Sequence, residues 1–189
     1  MSDLAGLFVA IAAGDRPAVT PSLATARLAR PDEFFLAECQ AQLYEGDTAL
    51  HVAAFAYDAP VAAALVEMRA DVRARNRRGG EPLHAAVAGA PGAANWNPDR
   101  QRAIVEYLIS AGADPDARAV GGVTPLHRAA RNRCSVAVAA LLGAGADPRL
   151  TNDHGSTAAD LARWTTGRGG VGSATAKVEQ QAILDLLAG

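Results

Sequence analysis

Apolar residues in this chain come in short blocks separated by Gly, Pro, Asn and Asp, a pattern that suits brief helices joined by tight turns. The run Leu7–Ala13, the Gly14-Asp15 break and the following Ala18, Val19 and Leu23 predict a helix, a turn and a second helix. Pro31 followed by Asp32 and Glu33 places a rigid residue and acidic charge where helix starts prefer them, so a short extra helix is expected over 32–40. Further helices are predicted over Val61–Met68, entered through Pro60, over Arg100–Ser110, capped by Asn97 or Asp99, and over Thr175–Ala188.

These blocks recur in register. Thr124-Pro125-Leu126-His127 has a near copy, Glu81-Pro82-Leu83-His84, 43 residues upstream, and another, Thr48-Ala49-Leu50-His51, 33 residues before that. A degenerate copy, Thr157-Ala158-Ala159-Asp160, follows 33 residues downstream. Each copy stands behind a glycine (Gly46, Gly79, Gly122, Gly155), and three of the units end in related strings: Met68-Arg69-Ala70-Asp71, Ala111-Gly112-Ala113-Asp114-Pro115 and Ala144-Gly145-Ala146-Asp147-Pro148. Such a period marks an array of stacked units, each burying its apolar side against its neighbours. Within a unit the glycine supplies the positive φ of a tight turn, Thr caps the first helix with Pro behind it, Leu enters the core, and the Ala pairs Ala53-Ala54 and Ala129-Ala130 let first helices approach closely. The histidine ring is expected to bond the threonine hydroxyl and a nearby backbone group, which makes His51, His84 and His127 structural.

The period, the T-P-L-H box, the Ala pair and the closing G-A-D-P resemble the ankyrin repeat, in register from about Gly46 to the C-terminus. The resemblance implies an all-α solenoid of helix-turn-helix units with short hairpin turns between repeats, in one domain over 1–189. Residues 1–45 read as an N-terminal cap repeat plus the inserted helix, 46–78 and 79–121 as repeats one and two, 122–154 as repeat three, and 155–189 as a C-terminal cap repeat. Repeat two carries an insertion of ten residues, Ala90 to Asp99, and the last unit carries a glycine-rich loop around 165–174.

Composition narrows the chemistry. Alanine supplies 45 of 189 residues and aromatic residues only 9, so the core is thin, which suits paired helices and not a deep catalytic cavity. A formal charge of −2 argues against a nucleic-acid-binding protein, which needs a concentrated basic face. No stretch reaches the length of a membrane span, and the N-terminus has no basic segment ahead of an apolar one, so a cytoplasmic, monomeric protein is expected. Cys39 and Cys134 lack metal-ligand spacing and read as small packers. Neither Ser135 nor Ser156 has a His and acid arranged to activate it, and the histidines stand a repeat apart with no ligand beside them. No enzyme activity, metal or cofactor is therefore expected. Gly167-Arg168-Gly169-Gly170-Val171-Gly172 formally matches G-x-G-x-x-G and leaves nucleotide or anion binding as the alternative reading, although the motif's preceding strand and following acidic residue are missing.

What remains is surface. The resemblance implies a concave face built from the inter-unit turns and the outward positions of the first helices, used to bind a partner protein, with ~2 kcal/mol or more at each buried aromatic or Arg anchor. Candidates are Phe55, Arg128, Arg131 and Trp164 on the helices, Arg77, Arg78, Asn152, Asp153 and His154 at the turns, and Trp96 on the insertion. A binder of one protein, acting as its inhibitor or regulator, is the expected function.

Overall fold

The computed structural model describes residues 4–29, 34–37, 39, 41–89, 91–92, 96–163 and 174–188. Ten helices among them follow one another in sequence as pairs: α1 (Leu4–Ala13) with α2 (Pro21–Thr25), α3 (Ala49–Phe55) with α4 (Ala59–Glu67), α5 (Pro82–Ala86) with α6 (Pro98–Ser110), α7 (Pro125–Asn132) with α8 (Ser135–Gly143), and α9 (Ala158–Arg163) with α10 (Ala174–Ala188). First helices stack in one layer, α1 on α3 on α5 on α7 on α9. Second helices stack in another, α2 on α4 on α6 on α8 on α10. The expected all-α solenoid is what the chain forms, with one continuous core running from Leu7 and Phe8 through Leu50, Leu83 and Leu126 to Ile183.

The box alanines explain the close stacking. Ala53, Ala54, Ala85, Ala86, Ala129 and Ala130 are all buried, and a methyl side chain there leaves room for neighbouring helices to approach. Between units, backbone hydrogen bonds link the turns in a row: Arg77 N–H to the Glu45 carbonyl (2.7 Å), Val120 N–H to that of Arg78 (2.9 Å), and Asp153 N–H to that of Gly121 (2.9 Å). Gly122 shows why the turn needs glycine: its φ is +67°, and a Cβ there would collide with Asp153, whose backbone nitrogen lies 3.0 Å away.

One predicted element is corrected. The helix expected over 32–40 is a two-stranded antiparallel hairpin, β1 (Phe34–Leu36) with β2 (Ala41–Leu43), in the register Phe34 to Leu43 and Leu36 to Ala41. Burial alternates along it, with Phe35 54% exposed beside buried Leu36, and exposed Gln42 between buried Ala41 and Leu43. That period of two decides for strand, and the acidic helix-start signal loses to it. The remaining helices fall close to expectation. Asn97, not Asp99, caps α6, its side-chain oxygen accepting the Arg100 N–H at 3.0 Å, and Pro60 stands in the first turn of α4 behind its cap Asp58.

Candidate partner-binding surface

The box residues are consumed internally. In His51 the Nδ1 accepts the Thr48 N–H (3.2 Å) and hydroxyl (3.0 Å), while Nε2 meets the Gly80 carbonyl of the following unit at 3.1 Å. His84 repeats this between the Glu81 N–H (3.2 Å) and the Val123 carbonyl (3.1 Å), and His127 between Thr124 and the Ser156 carbonyl (2.9 Å). A carbonyl only accepts, so Nε2 carries the proton and the ring is neutral. Burial lowers the pKa of all three, that of His84 to about 3, with the nearby Arg128 guanidinium adding to the effect. Each histidine is thus a staple from its own helix cap to the next unit. In the last unit Asp160 takes the acceptor half of that role, receiving the Thr157 N–H (2.9 Å) and hydroxyl (2.7 Å), and has no donor to offer a further unit. Among the described residues no group of three or more His, Cys, Asp or Glu is placed to hold a metal ion.

A second row of links runs through arginines that the sequence reading did not single out. Arg27 donates to the Arg75 carbonyl (3.0 Å), Arg75 to that of Arg118, and Arg118 to that of Thr151 (3.0 Å). Arg75, Arg118 and Thr151 occupy one position of the repeat once the insertion is allowed for, and that shared register is the signal in the sequence. Arg73, Arg75, Arg118, Glu81, Asp114 and Asp116 line an open cleft of about 430 Å³. Its charges pair with each other: Arg73 with Asp114 at 3.2 Å and Arg75 with Glu81 at 3.4 Å. Glu81, which stands in the threonine position of the box, is buried with its Oε2 unpartnered, and burial raises its pKa against the opposing pull of Arg73 and Arg75.

The ten candidate residues divide by environment. Asn152 is only 8% exposed, because its side-chain oxygen accepts the backbone N–H groups of His154 (2.9 Å) and Ser156 (3.0 Å), as that of Asn76 accepts those of Arg78 and Gly80 two turns earlier. It builds the turn and does not point outward, which corrects its place on a contact surface. Trp96 is half-buried against the core, and its indole N–H donates to Gln101 Oε1 (3.0 Å); Gln101, itself 0% exposed, donates to the Ala86 carbonyl (3.1 Å). Trp96 therefore sits as a lid over α5. Phe55 also leans on the core while remaining partly exposed. Arg77 and Arg78 are exposed at one turn, Asp153 and His154 at the second turn after it, and Arg131 is exposed on α7. Trp164 and the 167–172 loop lie outside the described residues.

One turn and the first helix α7 come near each other around Arg78 and Arg128. Arg78 stacks over the Tyr44 ring (5.4 Å to its centroid), and partly buried Arg128, on α7, lies close enough to Arg78, Tyr44 and Arg131 for their charges to act on it. Arg128 also donates to the His84 carbonyl at 3.2 Å, supporting the short α5. Val120, absent from the sequence candidates, is 65% exposed at the turn between Arg78 and Asp153; it sits at the repeat position of Arg77, shifted by the insertion.

Comparison with known proteins agrees with this architecture. A family model of ankyrin repeats in three copies matches residues 7–119, and one of ankyrin repeats in many copies matches 103–162. Mouse ankyrin repeat and SOCS box protein 16 is 39% identical over 115 residues, 61% of this chain and 25% of that protein. Xenopus laevis neurogenic locus notch homolog protein 1 is 33% identical over 141 residues, 75% of this chain and 5% of that protein, and rat protein fem-1 homolog A is 38% identical over 94 residues, 46% of this chain and 14% of that protein. The chain spans a quarter or less of these relatives, so what is shared is the repeat array, whose members generally serve as interaction modules. The match over most of its length, in register with the stacked helix pairs, shows that the chain belongs to the ankyrin-repeat family.

Proposed function

We propose that the protein is a non-catalytic module that binds one partner protein in the groove between its turns and its first helices, as a regulator or inhibitor of that partner in the cytoplasm. One observation carries the reading. The box groups of the array are bonded within it, and yet Arg77, Arg78, Val120 and Arg131 are left facing outward along one side, where the stacking of units has no use for them. Arginine beside an exposed apolar residue is a composition that favours protein contacts. A monomeric array keeps this side open to a partner.

Site-specific photo-crosslinking tests it. A photoreactive residue at Val120 or Arg131 should capture the same single protein from native extract, and that protein, once purified, should bind one to one by calorimetry. Equal capture from Arg102 or Val178, exposed on second helices α6 and α10, would refute the assignment of the groove.

A further inference from the structure

The groove carries cations that the protein itself leaves unpaired. Five arginines elsewhere meet carboxylates: Arg27 with Asp71, Arg73 with Asp114, Arg75 with Glu81, Arg149 with Asp147 and Arg163 with Asp160. Among the described residues, Arg77, Arg78, Arg128 and Arg131 have no ion pair, and their polar contacts are the Arg128 bond to the His84 carbonyl and the Arg78 stack on Tyr44. Arg128 and Arg131 are three positions apart on α7 and so share one face of it. The buried carboxylate of Asp47, whose charge acts on Arg128, accepts the Tyr44 N–H (2.7 Å) and the Asn76 side-chain amide (2.8 Å) and lies 3.5 Å from His51 Nε2. The other carboxylates at the turn tips, Glu45 and Asp153, flank the cluster and pair with none of it.

Partly buried Arg128 feels the positive charges of Arg131 and Arg78, and burial followed by the Arg131 charge depresses its pKa against the opposing pull of Asp47. A carboxylate entering between them removes that repulsion, and the planar fork of arginine binds carboxylate oxygens in pairs. The whole chain is slightly acidic, at −2, so the attraction is a local property of the groove, felt within about one Debye length (~8 Å at physiological salt). Val120, hydrogen-bonded through its N–H to the Arg78 carbonyl, sets an exposed apolar contact beside the cluster.

We infer that the groove receives an acidic segment of the partner protein, its carboxylates meeting Arg78, Arg128 and Arg131 around an apolar side chain that rests on Val120. The inference builds on the groove as the binding surface proposed above. It is tested by fluorescence anisotropy with the full chain and three labelled probes: a short glutamate-rich peptide containing one leucine, the same peptide with glutamine for glutamate, and a single-stranded RNA. The glutamate peptide should bind, tenfold or more tightly than the glutamine peptide, and weaken as salt is raised. The double variant Arg78→Gln/Arg131→Gln should lose at least tenfold in affinity for it, while Arg69→Gln/Arg102→Gln, of equal charge change, should not. Equal binding of both peptides, equal loss in the two double variants, or tighter binding of RNA would each overturn the inference. A partner crosslinked at Val120 whose affinity is unchanged by Arg78→Gln/Arg131→Gln would overturn it too, yet leave the groove assignment standing. Failure of crosslinking at the groove positions removes both.

Discussion

At the scale of single residues, the three box histidines bind the fold to pH. Each is neutral in the native state because its Nδ1 accepts a backbone N–H and burial opposes charge, so each folded pKa lies below the ordinary 6.5. Their contribution is therefore complete above about pH 6.5 and is lost as pH falls from there towards the folded values, about 3 for His84. Urea unfolding should give a constant free energy between pH 8 and 7 and a decline below 6.5, at up to ~1.4 kcal/mol per pH unit for each histidine. A flat profile down to pH 5 would show that the rings are charged in the native state. Arg69 offers a test of opposite sign. It adopts φ +69° at the position where the next two units place Gly112 (+103°) and Gly145 (+90°). Left-handed backbone costs a non-glycine residue ~1 kcal/mol, partly offset by glycine's greater freedom when unfolded, so Arg69→Gly should stabilise by ~0.5 kcal/mol in the same assay.

At the scale of elements, what could be read from the sequence was whatever the chain specifies locally. The Thr-Pro start, the turn glycines and the Asn97 cap act within four residues, and the helices stand where these signals put them. Pro31, Asp32 and Glu33 send the same local message ahead of β1, but Leu36, Ala41 and Leu43 face a core supplied by other units, and burial overrode it. The surface behaved alike. Register placed Arg78 and Arg131 outward, whereas the inward turn of Asn152 and the lid role of Trp96 depend on partners that spacing does not reveal. The lid is open to measurement. Gln101 joins Trp96 to the Ala86 carbonyl in a buried site, so Gln101→Ala leaves an indole N–H and a carbonyl without partners and should cost ~2 kcal/mol in urea unfolding. Gly89→Ala should also destabilise, since a Cβ there runs into the Tyr57 hydroxyl.

At the scale of the molecule, energy is held in a row and not around a centre. Each helix pair touches the pairs on either side, and the histidine staples, the turn-to-turn bonds and the arginine links each cross one boundary. In the unit of α9 and α10, Asp160 keeps the cap and gives up the staple. A defect in the last pair should consequently stay near its end. Ile183 on α10 is fully buried, and Ile183→Ala should cost ~3 kcal/mol as a cavity mutation in a tightly packed place. In a globule built about one centre that loss would lower the protection of every element together. In a stack it falls on α8, α9 and α10, which meet at this end, and fades with each unit crossed. Hydrogen exchange followed by mass spectrometry should find faster exchange in peptides from α9 and α10 of the variant, a smaller change in α8, and unchanged rates in α3 and α4. Uniform acceleration across α3 to α10 would mean that the units unfold as one body, and that the linear description of this chain is wrong.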